Sequence, residues 1–252
     1  MANWIGPPAP AAPVPGAAAF EFHPFMAQRF EQAVLPALSI LVVDHDARPL
    51  ERLVAHVGKA DAAWVDLGRL DAQVKEATEA VRPLPLGSPP EELIGAHEVG
   101  KDAHTGRDCV ADPPAWARAL GAVAATLCVA TRRTPGWNPR LLERTDEGET
   151  LERFVEAARR IHPQAFAPYS KLTSGLIAWM QGGRLRGYLT DGEVRQLREA
   201  LTTTQEQTLM WKERGGDFHR RKVQAFCFLA EKHGIGLAAM AAGPGVARPA
   251  SP

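Results

Sequence analysis

One stretch, residues 169–201 (YSKLTSGLIAWMQGGRLRGYLTDGEVRQLREAL), carries turn, strand and capping signals that agree on a single local structure, and it constrains the fold more than any other segment. An apolar helical segment through Leu176, Ile177 and Met180 is expected to stop at Gly182 and Gly183, because glycine takes the positive φ of a helix C-cap without steric cost. Residues 184–189 then read as a short extended piece. Alternation along it turns Arg184, Arg186 and Tyr188 to one face and Leu185 and Leu189 to the other. Thr190 opens the next helix. Its hydroxyl is placed to accept the N–H of Glu193 while the Glu193 carboxylate reaches back to the N–H of Thr190, a capping box. Val194, Leu197 and Leu201 supply the apolar face of that helix.

Helical periodicity dominates the rest of the chain. Leu50, Leu53, Val54 and Val57 fall at i, i+3, i+4 and i+7, with Asp46 as the expected cap and Gly58 as the expected end. Trp64, Leu67, Leu70, Val74, Ala77 and Val81 continue a helical period until Pro83. Asp112 is expected to cap a helix whose face is Trp116, Leu120, Val123, Ala124 and Leu127, and Leu151, Phe154, Val155, Ala158 and Ile161 mark another that Pro163 stops. Val223, Phe226, Cys227 and Ala230 define the last helix, followed by a short strand through Ile235, Leu237 and Met240. Residues 38–43 (LSILVV), β-branched and bounded by Pro36 and Asp44, read as a buried strand. The fold class expected from these signals is α+β, predominantly α-helical: a single compact domain with a few short strands.

Composition changes sharply at both ends and once in the middle. Residues 1–19 and 243–252 are rich in proline and alanine and offer little to pack, so they read as disordered arms flanking a main domain at 20–242. Residues 83–114 are rich in Pro, Gly, Asp and His without sustained period and read as a long loop. The chain carries 29 basic and 29 acidic side chains, a formal net charge of zero, so no global field steers it to nucleic acid or to a membrane surface. Lysine and arginine are absent before Arg29, and no apolar run approaches the roughly 20 residues of a spanning helix. Cys109, Cys128 and Cys227 are widely spaced and odd in number, which favours reduced thiols and a cytoplasmic location.

Four groups of residues could carry chemistry. The segment LVVDHD (residues 41–46), read as a strand end, resembles the acidic metal-holding strand of a response-regulator receiver domain. Residues 85–95 (PLGSPPEELIG) hold no strand for the phosphoacceptor aspartate, so Asp44 and Asp46 read as turn and capping residues. His97, His104 and Cys109 are chemically competent metal ligands, with Cys109 also a potential nucleophile, but they show neither the paired spacing of structural zinc nor HExxH. Arg214, Arg220, Arg221 and Lys222, with Trp211 and Phe218 interleaved, offer phosphate contacts and stacking surfaces for nucleic acid. Arg184 and Arg186 beside Tyr188 suit an acidic protein partner. No phosphate-binding or nucleophile-elbow motif appears, and no cofactor is implied.

The order of signals, LVVDHDARPLERLVAHVGKAD, a mid-chain helix, GRLRGYLTDGEVRQLREAL and a closing AEKHGIGLAAM, resembles YfbM-like bacterial proteins of unknown function across about residues 38–241, with GYLTDGEV the closest piece. The resemblance implies a compact α/β domain, and some members are suspected of toxin neutralisation. It carries no functional residues with it. The function expected is a non-catalytic protein-interaction module, of immunity or adaptor type, working through Arg184, Arg186 and Tyr188. The alternatives are a metal-assisted or thiol-dependent enzyme in the His97–Cys109 loop and nucleic-acid binding through Arg214–Lys222.

Overall fold

A computed structural model of the chain describes residues 20–94, 99–101, 108–110, 113–139, 151–176, 178–180, 184–202 and 205–241. The Pro/Ala-rich arms, His97, His104, Asp112 and the Gly182-Gly183 pair therefore lie outside the described residues. The fold is predominantly helical α+β. A small sheet, order β1-β5-β4 and antiparallel throughout, is formed by β1 (Phe20–Phe25), β4 (Leu185–Leu189) and β5 (Gly236–Ala241).

Helices cover both faces of this sheet, and each face has its own apolar cluster. One cluster gathers α1 (Ala27–Arg29), a π turn (Phe30–Val34), α2 (Leu35–Asp44), α3 (Arg48–Ala60), α4 (Leu67–Val81) and, after α5 (Pro90–Ile94), α6 (Ala115–Cys128). The other gathers α7 (Leu151–Ile161), α8 (Pro163–Ser174), α9 (Asp191–Leu201), Trp211 of α10 (Gln205–Glu213) and α11 (Asp217–Lys232). The residues of β5 alternate between them: Ala238 and Met240 face the first, Leu237 and Ala239 the second. Every residue of β5 is buried. Such a strand has to be made of small side chains, and GLAAMA is.

Residues 38–43 are a helix rather than the expected strand. The period that decides it starts earlier: Phe30, Val34, Leu38, Leu41 and Val42 are all buried on one side of a continuous helical run that spans the π turn. Pro36, which has no N–H to donate, lies just after the π turn of this run, where the N–H of Leu35 reaches back five residues to the carbonyl of Phe30. Burial of Leu38, Leu41 and Val42 along one side of the run overrode the β preference of the segment, and Ile40 stays exposed. Asp46 does not cap α3 in the expected way. It accepts the backbone N–H of Arg48 at 3.0 Å and takes both ends of the Arg48 guanidinium at 2.8 Å, while His45 closes α2 in the left-handed region with φ 52°. Residues 83–114 are not one long loop either: they contain α5 and an antiparallel hairpin of β2 (Val99–Lys101) and β3 (Asp108–Val110).

The capping box is present as expected. Glu193 N–H donates to Thr190 Oγ1 at 3.3 Å, the Glu193 carboxylate accepts the Thr190 N–H at 2.9 Å, and Lys171 of α8 pairs with the same carboxylate. Between cap and sheet, α8 lies so close to β4 that a Cβ at Gly187 would overlap the carbonyl oxygens of Lys171 and Leu172. Glycine is required there by contact, not by φ.

In the second cluster His219 is wholly buried among Phe154 and Phe218 rings, and neither of its ring nitrogens has a hydrogen-bond partner among the described residues. Burial, aided by the Lys222 ammonium, pushes its pKa down from 6.5 to about 4. The folded-state value lies below the unfolded one, so the unfolded chain binds the extra proton between those two pH values and stability falls as pH drops through that window. Thermal unfolding should show a loss on the order of 2 kcal/mol between pH 6.5 and 4 from this residue. A His219→Leu variant should flatten that slope; an unchanged slope would assign the acid sensitivity elsewhere.

Candidate functional site: an arginine-lined cleft

The strand β4 contains a bulge at Arg186. Leu185 pairs with Met240 and Gly187 with Ala239, which leaves Arg186 as the extra residue. Two residues four apart on a regular strand share a face. Here Leu185 packs into the first cluster and Leu189 into the second, because the extra residue inverts the alternation between them. The expected shared face of Arg184, Arg186 and Tyr188 is corrected accordingly.

Tyr188 falls on the same side as Leu185. Its ring packs 5.2 Å from Phe25 and 5.0 Å from Phe30 between centroids, the Lys171 ammonium lies 5.4 Å from its centroid, and its hydroxyl donates to Glu31 at 2.9 Å. Burial, then the Glu31 carboxylate, pushes the phenol pKa up. Tyr188 is a packing residue with a satisfied hydroxyl.

Arg184 and Arg186 instead line a cleft of 710 Å³ at the open end of the sheet. Its walls come from distant parts of the chain: His23 of β1, Met240 and Ala241 of β5, the turn carrying Trp64 and Val65, Asp66, Arg69 and Gln73 of α4, Ala122 and Ala125 of α6, and Val129, Thr131 and Arg132 beyond it. The volume lies in the usual range of small-ligand sites, about 300–1,000 Å³. Asp61, buried beneath, holds the two turns in place. It pairs with Arg29 and, at 3.2 Å, with Arg133, so the turn bearing Trp64 and the turn bearing Arg132 are pinned to one carboxylate.

The four arginines of the cleft are not equivalent. Arg184 is committed to the sheet: its Nε donates to the Ala241 carbonyl at 2.9 Å and its Nη2 to Glu21, which also lies 3.4 Å from His23 Nε2. The guanidinium groups of Arg69, Arg132 and Arg186 form no hydrogen bond or ion pair among the described residues. Asp66 is the carboxylate on the wall, and it caps α4 by accepting the Arg69 backbone N–H at 3.1 Å. His23 is hydrogen-bonded to Thr131 Oγ1 at 2.8 Å, and burial lowers its pKa, so it is neutral at pH 7. Gln73 contributes a buried Oε1 that accepts nothing among the described residues.

The other sequence candidates are dispersed. Cys109 lies on β3 with Gly100 opposite it, while its proposed partners His97 and His104 are outside the described residues. Arg220 is buried: it binds Asp217 at 2.8 and 3.0 Å and donates to the Leu201 carbonyl at 3.1 Å, so it holds α11 against the end of α9. Arg221 pairs with the same carboxylate at 3.0 Å, and the Lys222 ammonium lies 4.8 Å from the Phe218 ring centroid. Arg214 is exposed. The cleft residues that sequence reasoning missed are His23, Arg69, Gln73 and Arg132. Arg69 occupies an exposed position of an amphipathic helix and Arg132 a short turn, and neither carries a local signal that sets it apart from any other surface cation.

No family model, curated protein or solved structure matches the chain.

Tyr188 should behave as a structural residue. Tyr188→Phe keeps the ring and loses one hydrogen bond, so it should cost about 1 kcal/mol in urea unfolding. An unchanged unfolding midpoint would contradict a structural role for the hydroxyl.

Proposed function

We propose that the protein is a non-catalytic binding module that recognises an acidic segment of a protein partner at this cleft. The observation that carries the reading is the convergence of Arg69, Arg132 and Arg186, three guanidinium groups from three separate elements that have no partner among the described residues, on one concave surface that also carries Ala122, Ala125, Val129 and Met240. A guanidinium left without a carboxylate at a concave surface is a ready donor for an anion, since its planar fork offers two parallel N–H groups. Focusing of the field in a low-dielectric cleft compensates for the absence of net charge on the chain as a whole. The order-of-signals resemblance to YfbM-like bacterial proteins, some of them suspected of toxin neutralisation, supports a partner of that kind, and the three widely spaced cysteines support a cytoplasmic setting. No described helix is long and apolar enough to cross a membrane.

The full chain should be retained on immobilised poly-glutamate at low ionic strength and released as salt rises. Arg69→Glu combined with Arg186→Glu should abolish retention with the thermal midpoint nearly unchanged, whereas Arg214→Glu with Arg221→Glu should leave it intact. Retention that survives the first pair and fails with the second would overturn the assignment of the cleft.

A further inference from the structure

The chemistry of the cleft identifies the anion more closely, on the reading that the cleft is an anion site. Its charges do not balance. Among the described residues, Arg69, Arg132, Arg184 and Arg186 face only Asp66 on the wall and Glu21 behind Arg184, which leaves an excess of two positive charges while His23 is neutral. A carboxylate would neutralise one of them. A phosphate monoester carries close to two negative charges at pH 7 and presents three acceptor oxygens, enough to take the forks of more than one arginine.

Two further features concern what the phosphate is attached to. At 710 Å³ the cleft is much larger than a phosphate group, and its lining includes the apolar residues Ala122, Ala125, Val129 and Met240 together with Trp64, which is 45% exposed. Gln73 also lines the cleft. Inorganic phosphate would leave the apolar part of the surface uncovered.

We propose that the cleft binds a phosphate monoester on an organic body, held by Arg69, Arg132 and Arg186, with Trp64 covering the body. Phosphorylated side chains of a protein partner and free phosphate esters share this chemistry, and the former continues the reading of a protein partner.

Calorimetric titration of the full chain tests it with four probes: an acidic hexapeptide containing phosphoserine, the same peptide with glutamate at that position, glucose 6-phosphate, and inorganic phosphate. The phosphopeptide or the sugar phosphate should bind at least about tenfold more tightly than the glutamate peptide and than inorganic phosphate. Arg132→Gln with Arg186→Gln should remove this binding with the thermal midpoint unchanged. Tighter binding of the phosphopeptide assigns the ester to a partner protein, and tighter binding of the sugar phosphate assigns it to a free metabolite; both support the phosphate site. Equal binding of the glutamate peptide overturns the phosphate specificity while the acidic-partner reading stands. Equal binding of inorganic phosphate overturns the role of the organic body. Binding of none of the four, together with loss of poly-glutamate retention, overturns both.

Discussion

Everything in this molecule is arranged about a strand of small residues with helices on both sides. The strand β5 donates and accepts along both edges, to β1 and to β4, and sends Ala238 and Met240 into one apolar cluster and Leu237 and Ala239 into the other. Two clusters of helices can sit this close to a three-stranded sheet only if the middle strand has little side chain to displace. Gly236 shows the limit: a Cβ there would overlap the carbonyl oxygen of Leu189. The hydrophobic stabilisation of two separate halves of the chain therefore passes through six residues, and each half lacks one wall without them.

The bulge at Arg186 follows from the same constraint. The neighbour strand β4 must supply Leu185 to one cluster and Leu189 to the other, and with regular alternation residues four apart cannot do so. One extra residue resolves the conflict, and the extra residue is an arginine at the open end of the sheet. A guanidinium on the cleft wall is thus a by-product of dividing one strand between two cores. Asp61 completes the arrangement from the other side, because its two arginine partners fix the turns that bring Trp64 and Arg132 to the cleft.

How much of this was legible in the sequence depends on the range of the interaction. The capping box at Thr190 and Glu193, the apolar faces of α3, α4, α6, α7, α9 and α11, and the closing strand are local patterns, and they were readable residue by residue. The α+β, mainly helical class follows from them. Residues 38–43 read as a strand because a six-residue window shows β-branching, whereas the helical period is visible only from Phe30 onward. The first strand, Phe20–Phe25, is absent from the sequence reading: its pairing partner is more than 200 residues away in sequence and its Pro24 argues against a strand locally. For the cleft, the extended segment singles out Arg184 and Arg186, but it groups Tyr188 with them because a bulge leaves no trace in an alternating pattern. Arg69, Gln73 and Arg132 become neighbours only when α4 and the turn after α6 meet the sheet, which is information that no window of sequence contains.

The most direct test is an NMR titration that observes the arginine side-chain Nε–Hε resonances of the full chain as phenyl phosphate is added. Saturable shifts should appear at Arg69, Arg132 and Arg186, with Arg214 and Arg221 unmoved. Shifts confined to Arg214 and Arg221, or uniform small drifts at every exposed arginine, would contradict an anion site at the end of the sheet.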